Sequence, residues 1–319
     1  MNFQAGADII FLFLDSPSIE VESFYCDSEN VYLFQAYGDY WKNSRPENLN
    51  ERQKININLA NFILFSHDFD GLLFHLDSDE VLYFECDTEA LKHKEYVILE
   101  PLEVMPSVKK QARKSACFFK EKLPKEKINL LCDLGCLKGE DNQSYFNGHT
   151  VGKSGIKPNL MCTLGIHHAK YDAEVKPSKI QGAYLLHYEN PSLEEFLSKW
   201  SEPSYNDGKS TANVREKRKR FFTSVRLISA NDSLSKDEKV KFLKHLYYKE
   251  YLTPAIAANE LGYLKKVTFI DGHKSCEVSR IDKASEIFDF FVGKDKGAFN
   301  AHKTAERKRL YEEVKCLLA

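Results

Sequence analysis

Long hydrophobic runs and a strong net charge are both missing from this sequence. No apolar stretch reaches the roughly 18–20 residues of a membrane-spanning helix, and Met1 is not followed by a basic and then apolar signal segment. The formal net charge of -2 at pH 7 argues against bulk binding to nucleic acid, so any site for an anion must be local. We therefore expect a cytoplasmic protein without a nucleic-acid partner.

The cysteines show no arrangement typical of disulfides or zinc. All eight are scattered, and only Cys132 and Cys136 are close, in a C-x-x-x-C spacing without a matching second pair. We expect reduced thiols, as in a cytosolic protein. What is present is a normal globular balance of 43% hydrophobic and 29% charged residues over 319 positions, enough for a sizeable core in one or two domains.

The most informative stretch is an apolar run at 72–76 that ends in three carboxylates, Asp77, Asp79 and Glu80. A short apolar run after a glycine predicts a buried strand, along which Asp77 and Asp79 would share one side while Glu80 points away. Two carboxylates this close raise one pKa unless a cation lies between them. Oxygen ligands at a strand end suit Mg²⁺ or Mn²⁺ together with phosphate, although a solvated acidic turn fits the spacing equally well.

Apolar segments in the first part of the chain predict an α/β fold with a mainly parallel sheet. We expect residues 8–14, 31–36 and 72–76 to be neighbouring strands of one sheet. A helix capped near Asn48 or Asn50 is expected to lead into the third strand. Because strand, strand, helix and strand follow one another, the pattern predicts parallel strands covered by helices on both faces.

Further strands and a change of composition complete the predicted organisation. Turn-forming residues at 205–208 indicate a hinge, and the sequence after it is helical in composition. We therefore divide the chain into a sheet domain at 1–203 and a helical C-terminal region at 204–319. The further strands are expected at 96–100, 160–167 and 183–187.

Residues 148–158 combine three glycines, two lysines and one histidine. Glycine lets backbone N–H groups approach an anion, and Lys153 adds a compact charge, as a diphosphate site needs; an ordinary Gly-rich surface loop is the alternative. His167 and His187 end two predicted strands. Either could complete a metal site begun by carboxylates, although a strand-end histidine is more often structural.

The strongest basic run covers residues 215–220. On a helix its charges spread around the surface, so a solvated face is the favoured interpretation. A docking patch for anionic lipid or nucleic acid is the alternative. In the lipid case, the protein would touch the inner face of a membrane through 215–220.

These segments also follow one another in an order that resembles the family-2-like glycosyltransferases. Members of that family carry an "hhDxDE" strand end and are often found among bacterial surface-polysaccharide genes. The resemblance covers roughly residues 5–200. The segments that carry it are 6–11, 15–17, 40–41, 52–56, 75–80, 149–154, 165–168, 186–188 and 195–196.

The resemblance implies a GT-A fold, which is a Rossmann-like nucleotide-binding sheet. It also implies metal-dependent transfer of a sugar from a nucleoside-diphosphate donor, with UDP as the expected nucleotide, to a glycan or lipid-linked acceptor. Mn²⁺ or Mg²⁺ would bridge the carboxylates and the diphosphate. The implied metal ligands are Asp77, Asp79 and His167, with His187 in reserve. The implied donor-binding residues are Arg52, Gln53, Asn56 and Lys153.

The sequence departs from the family at its start. Relatives begin with a strand and a helix before the equivalent of Gly6, and these form part of the nucleobase pocket. Only five residues precede Gly6 here, so we expect the sheet domain to be short at its N-terminus. Two functions follow: an active glycosyltransferase, or a catalytically impaired GT-A-like protein that binds a carbohydrate or a partner. No motif identifies a catalytic base.

Overall fold

A computed structural model describes residues 1–25, 28–85, 88–110, 112–201, 216–268, 281 and 283–318. Strands and helices are mixed up to Ser201, and most described elements after it are helices. The strands are β1 Ile10–Leu14, β2 Val31–Gln35, β3 Leu73–Phe74, β4 Glu80–Phe84, β5 Tyr96–Val104, β6 Phe118–Lys120, β7 Lys153–Ile156, β8 Cys162–Leu164, β9 Ala169–Tyr171, β10 Ser178–His187 and β11 Leu264–Lys266. The helices are α1 Ile19–Tyr25, α2 Leu49–Ser66, α3 Glu89–Lys92, α4 Lys125–Asp133, α5 Asn142–Tyr145, α6 Leu193–Ser201, α7 Glu216–Ser229, α8 Lys236–Tyr247, α9 Thr253–Glu260, α10 Ala284–Phe291, α11 Gly297–Asn300 and α12 Thr304–Leu318.

The largest sheet has seven strands and is mostly antiparallel. Its path runs β11–β6–β5–β10–β4, and β7 pairs with both β5 and β3. Among the described pairs of this sheet, only β5 and β10 run parallel. Strands β1 and β2 form a separate two-stranded parallel sheet, and β8 and β9 form an antiparallel pair.

The predicted mainly parallel, Rossmann-like sheet of the GT-A type is wrong. Residues 8–14 and 31–36 do pair in parallel, as β1 and β2, but 72–76 lie in the other sheet as the short antiparallel strand β3. The run at 72–76 forms only a two-residue strand, because the apolar residues that follow the carboxylates form the longer strand β4. β4 buries Val81 and Leu82 and pairs antiparallel with β10. The acidic residues therefore form a turn between two strands.

Most local predictions are confirmed. Helix α2 begins after Asn48, whose side chain accepts a hydrogen bond from the Asn50 N–H at 2.9 Å. The strands predicted at 96–100 and 183–187 lie inside β5 and β10. The strand predicted at 160–167 is only partly present, as β8, so the prediction that His167 ends a strand is wrong and this residue lies in the loop between β8 and β9.

The described residues from 216 onward lie mainly in helices α7 to α12, with one short strand, β11. Helix α10 packs on β2 and α2, with ring centroids 4.6 Å apart for Phe34 and Phe288 and 5.4 Å apart for Phe62 and Phe291. The predicted boundary at 203 and 204 and the hinge at 205–208 lie outside the described residues. None of the described helices is long and apolar enough to cross a membrane.

Helix α2 runs through the middle of the fold. All residues from 55 to 64 are buried, including three asparagines. Asn58 donates to the Leu164 carbonyl at 2.8 Å and accepts from the Leu164 N–H at 2.9 Å, so this buried amide is paired and joins α2 to β8. The first turns of α2, which carry Gln53, then lie beside the acidic turn.

Candidate functional site

The acidic turn between β3 and β4 carries Asp77, Asp79 and Glu80 to one end of the large sheet. In the pairing of β4 with β10, Glu80 lies opposite His187. The Tyr188 N–H donates to the Asp79 carbonyl at 2.8 Å and continues this pairing. Backbone hydrogen bonds therefore fix the carboxylates next to the end of β10.

Asp77 and Glu80 share one buried lysine. Lys153 Nζ lies 2.9 Å from Asp77 Oδ2 and 3.2 Å from Glu80 Oε2. Gln53 donates to Asp77 Oδ1 at 3.0 Å. Burial by itself would raise the pKa of both carboxyl groups, but Lys153, together with His149 for Glu80, holds each pKa below its ordinary value. Both carboxylates are therefore charged at neutral pH.

Asp79 contacts a histidine. Its Oδ2 lies 3.6 Å from His187 Nε2, and Glu189 Oε2 lies 3.8 Å from the same nitrogen. Burial alone would lower the pKa of His187, but the two carboxylates outweigh it and raise this pKa to about 9. The pKa of Asp79 is lowered despite its burial, because the cationic ring of His187 lies beside it. His187 is thus a cation between two carboxylates at neutral pH.

Three imidazole rings lie together beside the acidic turn. The His149 ring centroid is 4.7 Å from that of His167 and 4.8 Å from that of His187. His149 Nε2 lies 2.6 Å from Glu80 Oε1, and His167 Nδ1 lies 3.1 Å from the Gly152 carbonyl oxygen. Burial, followed by the neighbouring His149, lowers the pKa of His167 to about 4. A neutral imidazole that donates through Nδ1 keeps a lone pair on Nε2, which is the form that binds metals.

The loop that carries the first of these histidines rests on a buried ion pair. Lys120 and Glu103 bond to each other with almost no exposed side-chain surface. Glu103 also accepts hydrogen bonds from the N–H groups of Asn147, at 2.8 Å, and of Gly148. In the pairing of β5 with β10, Glu103 lies opposite His187. The ion pair therefore joins the loop to strands β5, which carries Glu103, and β6, which carries Lys120.

Gly148 has no room for a side chain. A methyl group there would lie 2.2 Å from His187 Cε1 and 3.1 Å from Glu103 Oε2. We expect Gly148→Ala to lower the free energy of unfolding by about 1–3 kcal/mol, as overpacking does, because the new methyl group displaces His187. Urea denaturation measures this effect. Gly139→Ala is the control, because its new methyl would mainly meet the rotatable Ser144 hydroxyl; equal destabilisation by both variants would contradict the packing described here.

The structure brings most of the predicted site residues together. Arg52 and Asn56 are engaged elsewhere. Arg52 binds both oxygens of Asp15, at 2.8 Å and 2.9 Å, and buried Asn56 accepts from the Tyr40 hydroxyl at 3.1 Å. The acidic turn, the three imidazoles and the side chains that contact them form one cluster. The predicted residues found in this cluster are Gln53, Asp77, Asp79, Lys153, His167 and the reserve ligand His187.

Sequence patterns miss four members of the cluster: Glu80, Glu103, His149 and Glu189. Alternation along a strand predicts that Glu80 points away from Asp77, which is wrong, because residues 77–79 are not in a strand and both carboxylates reach Lys153. Glu103 does leave a signal in the sequence. A carboxylate inside an apolar strand indicates a buried charge that needs a partner.

Among the described residues, two sets of side chains could hold a divalent cation. In each set the donor atoms lie within 4.8 Å of one another, and His187 belongs to both. His187 Nδ1 is buried and makes no hydrogen bond with any residue that the structure describes. Mixed carboxylate and imidazole donors fit a divalent transition-metal ion such as Mn²⁺. Of the three predicted ligands, Asp79 belongs to one set, whereas Asp77 and His167 belong to neither. The sets are Glu80, His149 and His187, and Asp79, His187 and Glu189.

Arg218 supports the cluster from helix α7. Its Nη2 lies 3.1 Å from Glu189 Oε1, and its Nη1 lies 3.2 Å from the Tyr251 hydroxyl. Burial by itself would raise the pKa of Glu189, but the Arg218 guanidinium and other cations hold it far below its ordinary range. Glu189 is therefore a carboxylate fixed beside His187.

The basic run at 215–220 is only partly solvated. Lys219 and Arg220 are exposed, but Lys217 and Arg218 are half-buried and make polar contacts inside the fold. The interpretation of the run as a solvated face is wrong for these two residues. Arg215 lies outside the described residues.

The cluster is open to solvent at one edge. The exposed fractions of the Asp77, Asp79 and His149 side chains are 33%, 28% and 20%, whereas the Glu80 side chain is buried. A ligand can therefore reach the acidic turn without rearrangement of the strands. No protein-family model, curated protein or solved structure matches this chain, so the resemblance to glycosyltransferases stays a prediction.

Proposed function

We propose that this protein is a metal-dependent glycosyltransferase that takes a sugar from a nucleoside-diphosphate donor, with UDP as the nucleotide, and passes it to a glycan or lipid-linked acceptor. The proposal depends on one observation: an acidic turn, three imidazoles and a buried lysine converge at an edge that solvent reaches. Such a set supports the binding of a diphosphate through a divalent cation. The transferred group, a sugar, is taken from the sequence resemblance.

The chain's own residues would act mainly through charge. A departing diphosphate gains negative charge as its bond to the sugar breaks, and stabilising that charge is the main requirement of the reaction. Lys153 supplies a fixed cation, because Asp77 and Glu80 hold its ammonium group in place. Gln53 donates a hydrogen bond to one carboxylate oxygen of Asp77, and Lys153 donates to the other. A divalent cation at the sets that share His187 would act as a Lewis acid toward the phosphate oxygens.

Isothermal titration calorimetry with UDP, with and without Mn²⁺, tests this function. We expect UDP to bind only when Mn²⁺ is present, and we expect slow release of UDP from a UDP-sugar under the same conditions. Other nucleoside diphosphates serve as controls for the choice of nucleotide. If none of them binds in the presence of Mn²⁺ or Mg²⁺, the proposal is wrong.

Binding of Mn²⁺ should release a proton at neutral pH. The pKa of His187 is raised to about 9 in the metal-free protein, and a metal ligand must be deprotonated. We therefore expect the apparent affinity for Mn²⁺ to rise about tenfold per pH unit from about pH 6.5 to 9 and then to level off. The metal-free protein should lose stability over the same interval, since a raised histidine pKa stabilises the fold only while the ring is protonated.

Calorimetry in buffers of different ionisation enthalpy counts the released protons. His187→Gln is the matched variant, because an amide of similar polarity has no proton to lose in this range. Proton release that persists in His187→Gln would assign it to another group.

The position of Lys153 favours a second candidate function. Its ammonium already lies between Asp77 and Glu80, where it pairs with both carboxylates without a metal. This arrangement fits a catalytically impaired protein that binds a carbohydrate or a partner. In that case UDP or a sugar ligand would bind equally well with EDTA and with Mn²⁺, and no sugar would be transferred.

A further inference from the structure

A basic cleft lies on the helical part of the chain, apart from the acidic turn. It has a volume of about 480 Å³ and is bounded by α7, by the segment that joins α8 to α9, and by the loop after α4. Five cationic side chains and one carboxylate line it. The cations are Lys138, Lys217, Lys219, Arg220 and Lys249, and the carboxylate is Glu250.

Most of this positive charge has no carboxylate partner among the residues that the structure describes. Glu250 is paired with Lys138 at 3.4 Å. Lys219, Arg220 and Lys249 are exposed and form no ion pair with any residue in the described part of the chain. Three cations at the wall of one cleft repel each other, so an anion bound between them would be stabilised by all three.

Apolar side chains also line the cleft. They include Phe221, which is buried, together with Leu137, Leu246 and Pro254. Clefts of about 300–1,000 Å³ with apolar walls and a few polar groups are typical of sites for small molecules. A ligand that matches both features carries a negative group at one end and an apolar body at the other.

Helix α7 joins this cleft to the acidic turn. Lys217 donates to the Ser144 carbonyl at 2.6 Å, and Arg218 binds Glu189, which lies 3.8 Å from His187. The next two residues along the helix line the cleft. The orientation of the cationic wall is therefore fixed by the same contacts that support the metal-binding side chains.

We infer that the cleft binds a phosphate group carried by a partly apolar molecule, as at the head group of a phospholipid. Clustered lysine and arginine side chains favour phosphate over carboxylate because they can share its several oxygens. The proposal does not depend on the glycosyltransferase function, because it uses neither the metal-binding side chains nor a nucleotide.

Two measurements on the full chain, both in EDTA, test the cleft. The first is calorimetry with inorganic pyrophosphate, and the second is flotation with phosphatidylcholine vesicles that contain or lack phosphatidic acid. We expect the wild-type protein to bind the vesicles that contain phosphatidic acid, and pyrophosphate, if it binds at all, more weakly. The triple variant Lys219→Gln, Arg220→Gln, Lys249→Gln should lose about 100-fold in affinity. The matched control neutralises three exposed lysines of α8 outside the cleft: Lys236→Gln, Lys241→Gln, Lys244→Gln.

The pattern of binding to the two probes distinguishes the possible ligands of the cleft. Binding to the phosphatidic acid vesicles, with or without binding to pyrophosphate, assigns a lipid phosphate; binding to pyrophosphate alone shows a phosphate site that takes no apolar group and overturns the lipid assignment. An equal loss in the control variant, or no binding of either probe by the wild type, overturns the site. Mn²⁺-dependent UDP binding, measured on the same variants, should stay unchanged, so failure of the cleft and failure of the glycosyltransferase proposal are distinguishable.

Discussion

Asp79→Asn should lower the Mn²⁺-dependent affinity for UDP at least about 100-fold. Loss of even an outer partner of a metal ligand costs about 10–100-fold in affinity, and Asp79 supplies a carboxylate to one of the two donor sets. An amide keeps the size of the side chain but does not neutralise a cation. The fold should persist, because the Asp79 side chain is 28% exposed and Glu189 remains 3.8 Å from His187. Calorimetry with UDP and Mn²⁺ measures the loss.

Asp70→Asn is the matched control. Asp70 has an 84% exposed side chain and pairs with Lys157 at 2.8 Å, so the same chemical change there should alter UDP affinity by no more than about twofold. Undiminished Mn²⁺-dependent binding by Asp79→Asn would remove Asp79 from the metal site. The melting temperature adds a second readout. Two repelling carboxylates would make Asp79→Asn more stable, whereas the observed contact of Asp79 with cationic His187 leads us to expect a small decrease.

Elements with a local signal could be predicted from the sequence. Helix α2 follows from its Asn48 cap and its apolar face, and both are properties of adjacent turns. The strands inside β5 and β10 follow from short apolar runs. In each case the deciding interactions lie within a few residues of one another, so the order of residues is enough.

The arrangement of the strands could not be predicted in this way. The run at 72–76 and the run in β4 are both apolar, and local pattern does not show which of them pairs with β10. In the structure it is β4 that pairs with β10, in antiparallel orientation, while β5 pairs with the other edge of β10 in parallel orientation. A strand pairing of this kind depends on contacts between residues about a hundred positions apart, which a single sequence does not display.

The candidate site shows the same limit. The D-x-D pattern identifies Asp77 and Asp79, but the partner of Asp77 is Lys153, 76 residues away. Alternation along a strand assigns Glu80 to the wrong side because the chain turns at this point. Residue chemistry therefore indicates which groups can take part, while the turn and the pairing of β4 with β10 decide which of them meet.

Arg218→Met should lower the free energy of unfolding by about 3 kcal/mol at pH 7. The substitution keeps much of the apolar stem but leaves Glu189, which is 6% exposed, without its closest cation. Removing one partner of a buried pair costs about 3–5 kcal/mol, and Lys199, 3.8 Å from Glu189, places the expected value at the lower end. Urea denaturation measures it. Arg220→Met, on the exposed side of the same helix, should cost no more than about 0.5 kcal/mol.

The pH dependence of this loss separates a buried charge from lost packing. Glu189 has a pKa far below its ordinary range in the native protein, so its contribution to stability is present at neutral pH and is lost only as the pH falls through the acid range. Without Arg218 the carboxyl group protonates more readily. The difference in stability between wild type and Arg218→Met should therefore shrink as the pH falls from 7 to 4.

Adding Glu189→Gln to Arg218→Met should recover part of the loss at pH 7, because the uncompensated charge is gone. A destabilisation that is the same at both pH values, and that the second substitution does not reduce, would mean that Arg218 acts through its contacts with Phe221 and Phe222 rather than through Glu189.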